Sequence, residues 1–145
     1  MKIMKKGQAG FTLIEIMVVV IILSILAGII IPRIAGRPEE ARRTKATVQI
    51  KQIEGALNLF KIDNGYYPDT DQGLEALVTA PTSGEEPQNY KIGGYLKKVP
   101  KDPWGTPYAY LSPGEHGDFD LLSFGADGVE GGEDRDADIG NWEIE

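Results

Sequence analysis

The chain has 145 residues, a formal net charge of −7, no cysteine and one histidine, His116. That length accommodates one small domain with an appendage rather than two full domains. The composition excludes disulfide scaffolds, thiolate metal sites, cysteine nucleophiles and a multi-histidine zinc centre.

Charge is unevenly spread. Residues 1–10 carry Lys2, Lys5 and Lys6 and no acid, whereas residues 115–145 hold eleven acids against one base, Arg135. A chain this acidic toward its free end is not expected to bind nucleic acid. Between the two, Phe11 to Pro32 contains a single charge, Glu15. As a helix those residues rise roughly 33 Å at ~1.5 Å each, which matches a hydrocarbon core of about 30 Å. The β-branched run Val18–Ile22 would otherwise favour a strand, but a lone strand cannot satisfy its backbone in lipid. The leading lysines predict an N-terminus in the cytoplasm and everything beyond Pro32 outside the inner membrane. A conventional signal-peptide cut at Ala27-Gly28 would fall inside the apolar run and leave Ile29-Ile30-Ile31 at the new terminus. A plain anchor leaves Glu15 unexplained, because a carboxylate among apolar residues costs roughly 2–3 kcal/mol on insertion scales.

The segment Gly10-Phe11-Thr12-Leu13-Ile14-Glu15, between a basic leader and an apolar run, resembles the leader junction of type IV pilins and pseudopilins. The resemblance implies that a prepilin peptidase removes residues 1–10 after Gly10 and N-methylates Phe11. Residues 11–35 then form the transmembrane and assembly helix. The new ammonium at Phe11 becomes a partner for Glu15, in the same helix or a neighbouring subunit. An unpaired buried carboxylate would be strongly destabilising, so such a pair sets the register between packed subunits. The competing reading is that Glu15 merely snorkels to the membrane surface.

Residues 36–145 read as a periplasmic head. Pro32 and Gly36-Arg37-Pro38 are expected to interrupt the helix. It resumes over 39–62 with Ala46, Ile50, Ile53, Leu57 and Phe60 spaced as a core face. Asp63-Asn64-Gly65 ends it. Gln72–Leu77 reads as a short helix and 80–94 as a surface loop. Strands are expected at Tyr108–Leu111 and Phe119–Phe124, with turns at Asp102–Pro107 and Ser112–Gly114. Two such strands need a covering helix, which gives an α+β fold: a long helix on a small antiparallel sheet. Seven bases against three acids between Arg33 and Lys61 suggest attraction between basic stem and acidic tail of neighbouring subunits; a solvated face is equally consistent.

Between Gly125 and Asp138, four aspartates and four glycines interleave, a composition that suits either a hard cation or a solvated acidic loop. The spacing is not that of an EF-hand. Asp-Asn-Gly-x-Tyr-Pro, Gln-Gly-Leu-x-Ala-Leu, Asp-Pro-Trp-Gly, Leu-Ser-Pro-Gly-x-His-Gly and Asp-Ile-Gly-Asn-Trp together resemble the major pseudopilins of type II secretion systems, over Gly10 to about Trp142. Most type IV pilins close this region with a cysteine pair, which the chain lacks. The resemblance implies a structural calcium held by Asp127, Asp138 and the main-chain carbonyl of Phe124. Asp136, or else Asp134, replaces an acid that some relatives carry where this chain has Ala137.

The function implied is structural: a subunit that polymerises through its N-terminal helix and helps drive folded exoproteins through the outer membrane. Its implied partners are further copies, minor pseudopilins, the prepilin peptidase, an inner-membrane platform with its ATPase, and lipid. Alternatives are a type IV pilin for adhesion or motility and a monomeric, membrane-anchored calcium-binding module. His116, flanked by Glu115, Gly117 and Asp118, has no paired nucleophile in view, so no catalysis is expected.

Overall fold

The computed structural model describes residues 10–34 and 37–144, with side chains omitted for 28–34 and 37. Residues 1–9, Ala35, Gly36 and Glu145 lie outside them, and with them most of the expected leader and part of the expected interruption at Gly36-Arg37-Pro38. The chain forms two compact units that divide after Pro38.

In the first unit, helix α1 spans Leu13–Ile34. It continues two residues beyond Pro32, where the sequence predicted an interruption. Its apolar side chains are uncovered, from Leu13 at 79% exposed to Leu26 at 48%. Among the described residues, no helix is long and apolar enough to cross a membrane.

Helix α2 runs Arg37–Asn64, beginning two residues before the expected Glu39. Pro38 is tolerated in the first turn, where its missing N–H would have had no helical acceptor. Glu39 and Glu40 at the start and Lys61 at the end complement the helix dipole. The helix stops at Gly65, whose N–H donates to the Lys61 carbonyl at 2.7 Å and whose φ of 87° turns the following chain out of the helix.

In the second unit, the predicted stripe on α2 is the core: Ala46, Ile50, Ile53, Leu57 and Phe60 are all fully buried. The expected short helix is a 3₁₀ turn at Leu74–Leu77, burying Leu74, Ala76 and Leu77 against them. Buried Gln72 ties this turn to the following loop, donating to the carbonyls of Ser83 at 2.7 Å and Glu85 at 3.0 Å.

The sheet has three antiparallel strands in the order β1-β2-β3: Ala109–Leu111, Asp120–Ser123 and Ile139–Gly140. Ala109 pairs with Leu122 and Leu111 with Asp120, while Ser123 pairs with Ile139. Leu121 and Ser123 are fully buried. The third strand is an addition to the two read from sequence. Two residues, one of them glycine, carry no alternating pattern to find. After it, a 3₁₀ turn at Asn141–Glu143 brings the Asn141 side chain back to β2, accepting from Leu121 N–H at 2.9 Å.

Candidate functional sites

Gly10 and Phe11 precede α1 outside regular secondary structure, and Thr12 caps it. The Thr12 hydroxyl accepts from the Glu15 N–H at 3.3 Å, and the Glu15 carboxylate accepts from the Thr12 N–H at 3.4 Å. This reciprocal pair is a capping box, which satisfies two donors that a helix start leaves orphaned. Thr12-x-x-Glu15 before an apolar run is its sequence signature, so this role of Glu15 is legible without coordinates.

In the acidic loop, Phe124 and Asp138 are half-buried, while Asp127 and Asp134 are exposed. Asp127 folds back to accept from Val129 N–H at 3.1 Å. Asp134 opens a 3₁₀ turn over Asp134–Asp136 with a φ of 54°. Asp136 faces the Arg135 guanidinium at 3.5 Å. Glycines pack the loop tightly. A Cβ on Gly125 would stand 2.7 Å from the Asp136 carbonyl oxygen, and one on Gly132 would stand 2.5 Å from it. Among the described residues, no three acidic or histidine side chains are gathered as a metal-holding group.

Asp138 nonetheless carries an unfilled demand. Its Oδ2 accepts from Gly131 N–H at 2.9 Å, but its buried Oδ1 has no hydrogen-bond partner. A buried acceptor without a donor costs about 1–3 kcal/mol, more when charged. Hard oxygen donors on a glycine-rich loop, one of them buried and orphaned, fit a hard cation such as calcium. On the other side, α2 contributes Arg43, whose guanidinium donates to the Ala137 carbonyl at 2.8 Å and reaches the Arg135 carbonyl at 3.5 Å.

Two further carboxylates are buried in the head. Asp102 is 5% exposed and accepts from Trp104 N–H at 3.1 Å, Thr106 N–H at 2.7 Å and the Ser123 hydroxyl at 2.6 Å. Asp120 accepts from the N–H groups of Glu115 and His116 and pairs with the His116 ring at 2.9 Å. Burial pushes the Asp120 carboxyl up, but these hydrogen bonds outweigh it and hold the group below its ordinary value. The imidazole stacks on Trp142 with centroids 3.9 Å apart and planes 8° from parallel. His116 thus clamps the β1–β2 turn to the last 3₁₀ turn, a pairing across 26 positions that local sequence pattern does not reveal.

Residues 5–31 match the prokaryotic N-terminal methylation motif, and residues 33–142 match the family described as type II secretion system, protein G. Type II secretion system core protein G of Pseudomonas aeruginosa is 58% identical over 139 residues, covering 96% of this chain and 98% of its own. The Vibrio cholerae protein of that name is 57% identical over 145 residues, covering all of this chain and 98% of its own. The crystal structure of the major pseudopilin from the type 2 secretion system of enterohaemorrhagic Escherichia coli aligns with a TM-score of 0.68 at 43% identity. That alignment covers 76% of this chain and 94% of the other. With its core helix, three-stranded sheet and N-terminal motif matched together, the chain belongs to the type II secretion system protein G family, the major pseudopilins.

Proposed function

We propose that this chain is the main building block of a type II secretion pseudopilus, anchored by a single pass in the inner membrane and polymerising through α1. The observation that carries this reading is a methylation motif over residues 5–31 followed directly by the protein G match. The uncovered apolar surface of α1 supports it, because such a surface must be buried in lipid or against other stems. The role is structural rather than catalytic. Cleavage after Gly10 keeps the stem attached, and the methylated ammonium of Phe11 pairs with Glu15 of a neighbouring stem. Minor pseudopilins, the prepilin peptidase, the assembly platform and its ATPase are the expected partners.

The capping box supplies a sharp test. Glu15→Gln keeps a side chain that can complete the box but loses the charge. If ammonium pairing drives assembly, this variant is processed and inserted normally yet yields few filaments. Wild-type filament yield from Glu15→Gln would reduce Glu15 to a helix cap. Mass spectrometry of the membrane-extracted protein should show a chain beginning at methylated Phe11, and an intact Met1 would sink the cleavage step.

Calcium is part of the same proposal. Asp127 and Asp138, with Asp136 and the Phe124 carbonyl, would hold the ion, and Asp134 is the substitute for Asp136. When bound, the ion would draw these oxygens together and cross-link the loop, the service a disulfide gives in cysteine-bearing pilins. Asp138 meets it with its orphaned Oδ1, while Gly131 N–H holds the other oxygen in place.

A further inference from the structure

Ala137 stands between the two acids Asp136 and Asp138, and its carbonyl is held from outside the loop. The donor is Arg43, half-buried on α2, one turn before the fully buried Ala46. A single guanidinium nitrogen serves both Ala137 at 2.8 Å and Arg135 at 3.5 Å. The tether therefore grips the main chain on either side of Asp136 without engaging a carboxylate, and Asp138 Oδ1 stays unpartnered. From inside, Gly125 and Gly132 press on the Asp136 carbonyl with no room for a Cβ. The segment 135–138 is thus clamped between glycine backbone and a cation rooted in the core helix.

We propose that Arg43 is a positioning residue for the acidic loop: by fixing the Ala137 carbonyl it presets Asp136 and Asp138 for calcium. This rests on the calcium reading above. Two opposed effects make it decidable. Arg43 is a cation near a cation site, so if charge alone mattered, removing it would tighten calcium binding. If it positions the loop, removing it releases the backbone between two ligands, and the ordering cost then falls on the binding step.

The experiment is calorimetric titration of calcium chloride into the full-length mature protein in detergent, in wild type, Arg43→Met and Arg43→Lys. Met keeps much of the apolar stem without donors; Lys restores one charged donor. Positioning predicts calcium affinity at least tenfold weaker in Arg43→Met and within about threefold of wild type in Arg43→Lys. It also predicts amide exchange in residues 133–138 at least fivefold faster in Arg43→Met under chelator, with exchange along α2 unchanged. Affinity in Arg43→Met equal to or tighter than wild type, or unchanged loop exchange, overturns the proposal. Calcium that binds the wild type but ignores Arg43 defeats this inference alone. A wild type that takes up no calcium defeats the calcium reading and this inference with it.

Discussion

Asp102 and Asp120 are each 5% exposed. Their partners are backbone N–H groups, the Ser123 hydroxyl and one imidazole. Removing such an acceptor leaves several donors unsatisfied at once, so Asp102→Ala should cost about 2–4 kcal/mol. Ser123→Ala, which removes one donor, should cost about 1 kcal/mol. Chemical denaturation of the purified protein measures both, and equal losses would mean that Asp102 is not the hub of the turn. Asp120 makes a pH prediction. Its carboxyl titrates lower in the folded chain than in the unfolded one, so the stability it contributes is present above the unfolded value. That contribution is lost as pH falls through the folded value. Melting temperature should therefore drop more steeply below pH 4 in wild type than in Asp120→Asn; identical acid profiles would rule the linkage out.

At the scale of elements, α2 organises the head. Leu57 is fully buried and Ile62 is 77% exposed on the same helix. Leu57→Ala should destabilise by about 2–5 kcal/mol, whereas Ile62→Ala should stay within about 0.5 kcal/mol. A thermal melt that ranks them the other way would contradict the burial pattern. This helix is legible in the sequence because its apolar period of 3.6 persists for five positions and ends at a glycine. β1 and β2 are legible from their aromatic and aliphatic runs between turn residues. β3 is not, since Ile139-Gly140 becomes a strand only through its pairing with β2. The loop's composition suits a hard cation or a solvated face alike, and the Arg43 contact and the His116–Trp142 stack depend on residues far apart in the chain. Local pattern carries no information about such pairs.

For the molecule as a whole, the proposed calcium site lies in the C-terminal loop, and the orphaned Asp138 oxygen should make stability depend on the ion. Melting temperature is expected to fall in chelator, recover with calcium and recover little with magnesium, which demands compact octahedral sites. Asp127→Ala should melt low and ignore chelator. A wild-type melting temperature that is identical in chelator and in millimolar calcium would leave only a solvated loop. The placement of β3 and Asn141 has a different consequence, one about time. Ile139 is 6% exposed in the core, and the Asn141 side chain completes bonds to Leu121, Glu54 and Phe119. Synthesis delivers these residues after the α2 stripe and the β2 strand that they join, so the core cannot close until they have emerged. On the anchored reading proposed above, the stem would be delivered to the membrane ahead of a head that is still open. A nascent chain stalled before Ile139 should remain protease-sensitive however long it waits.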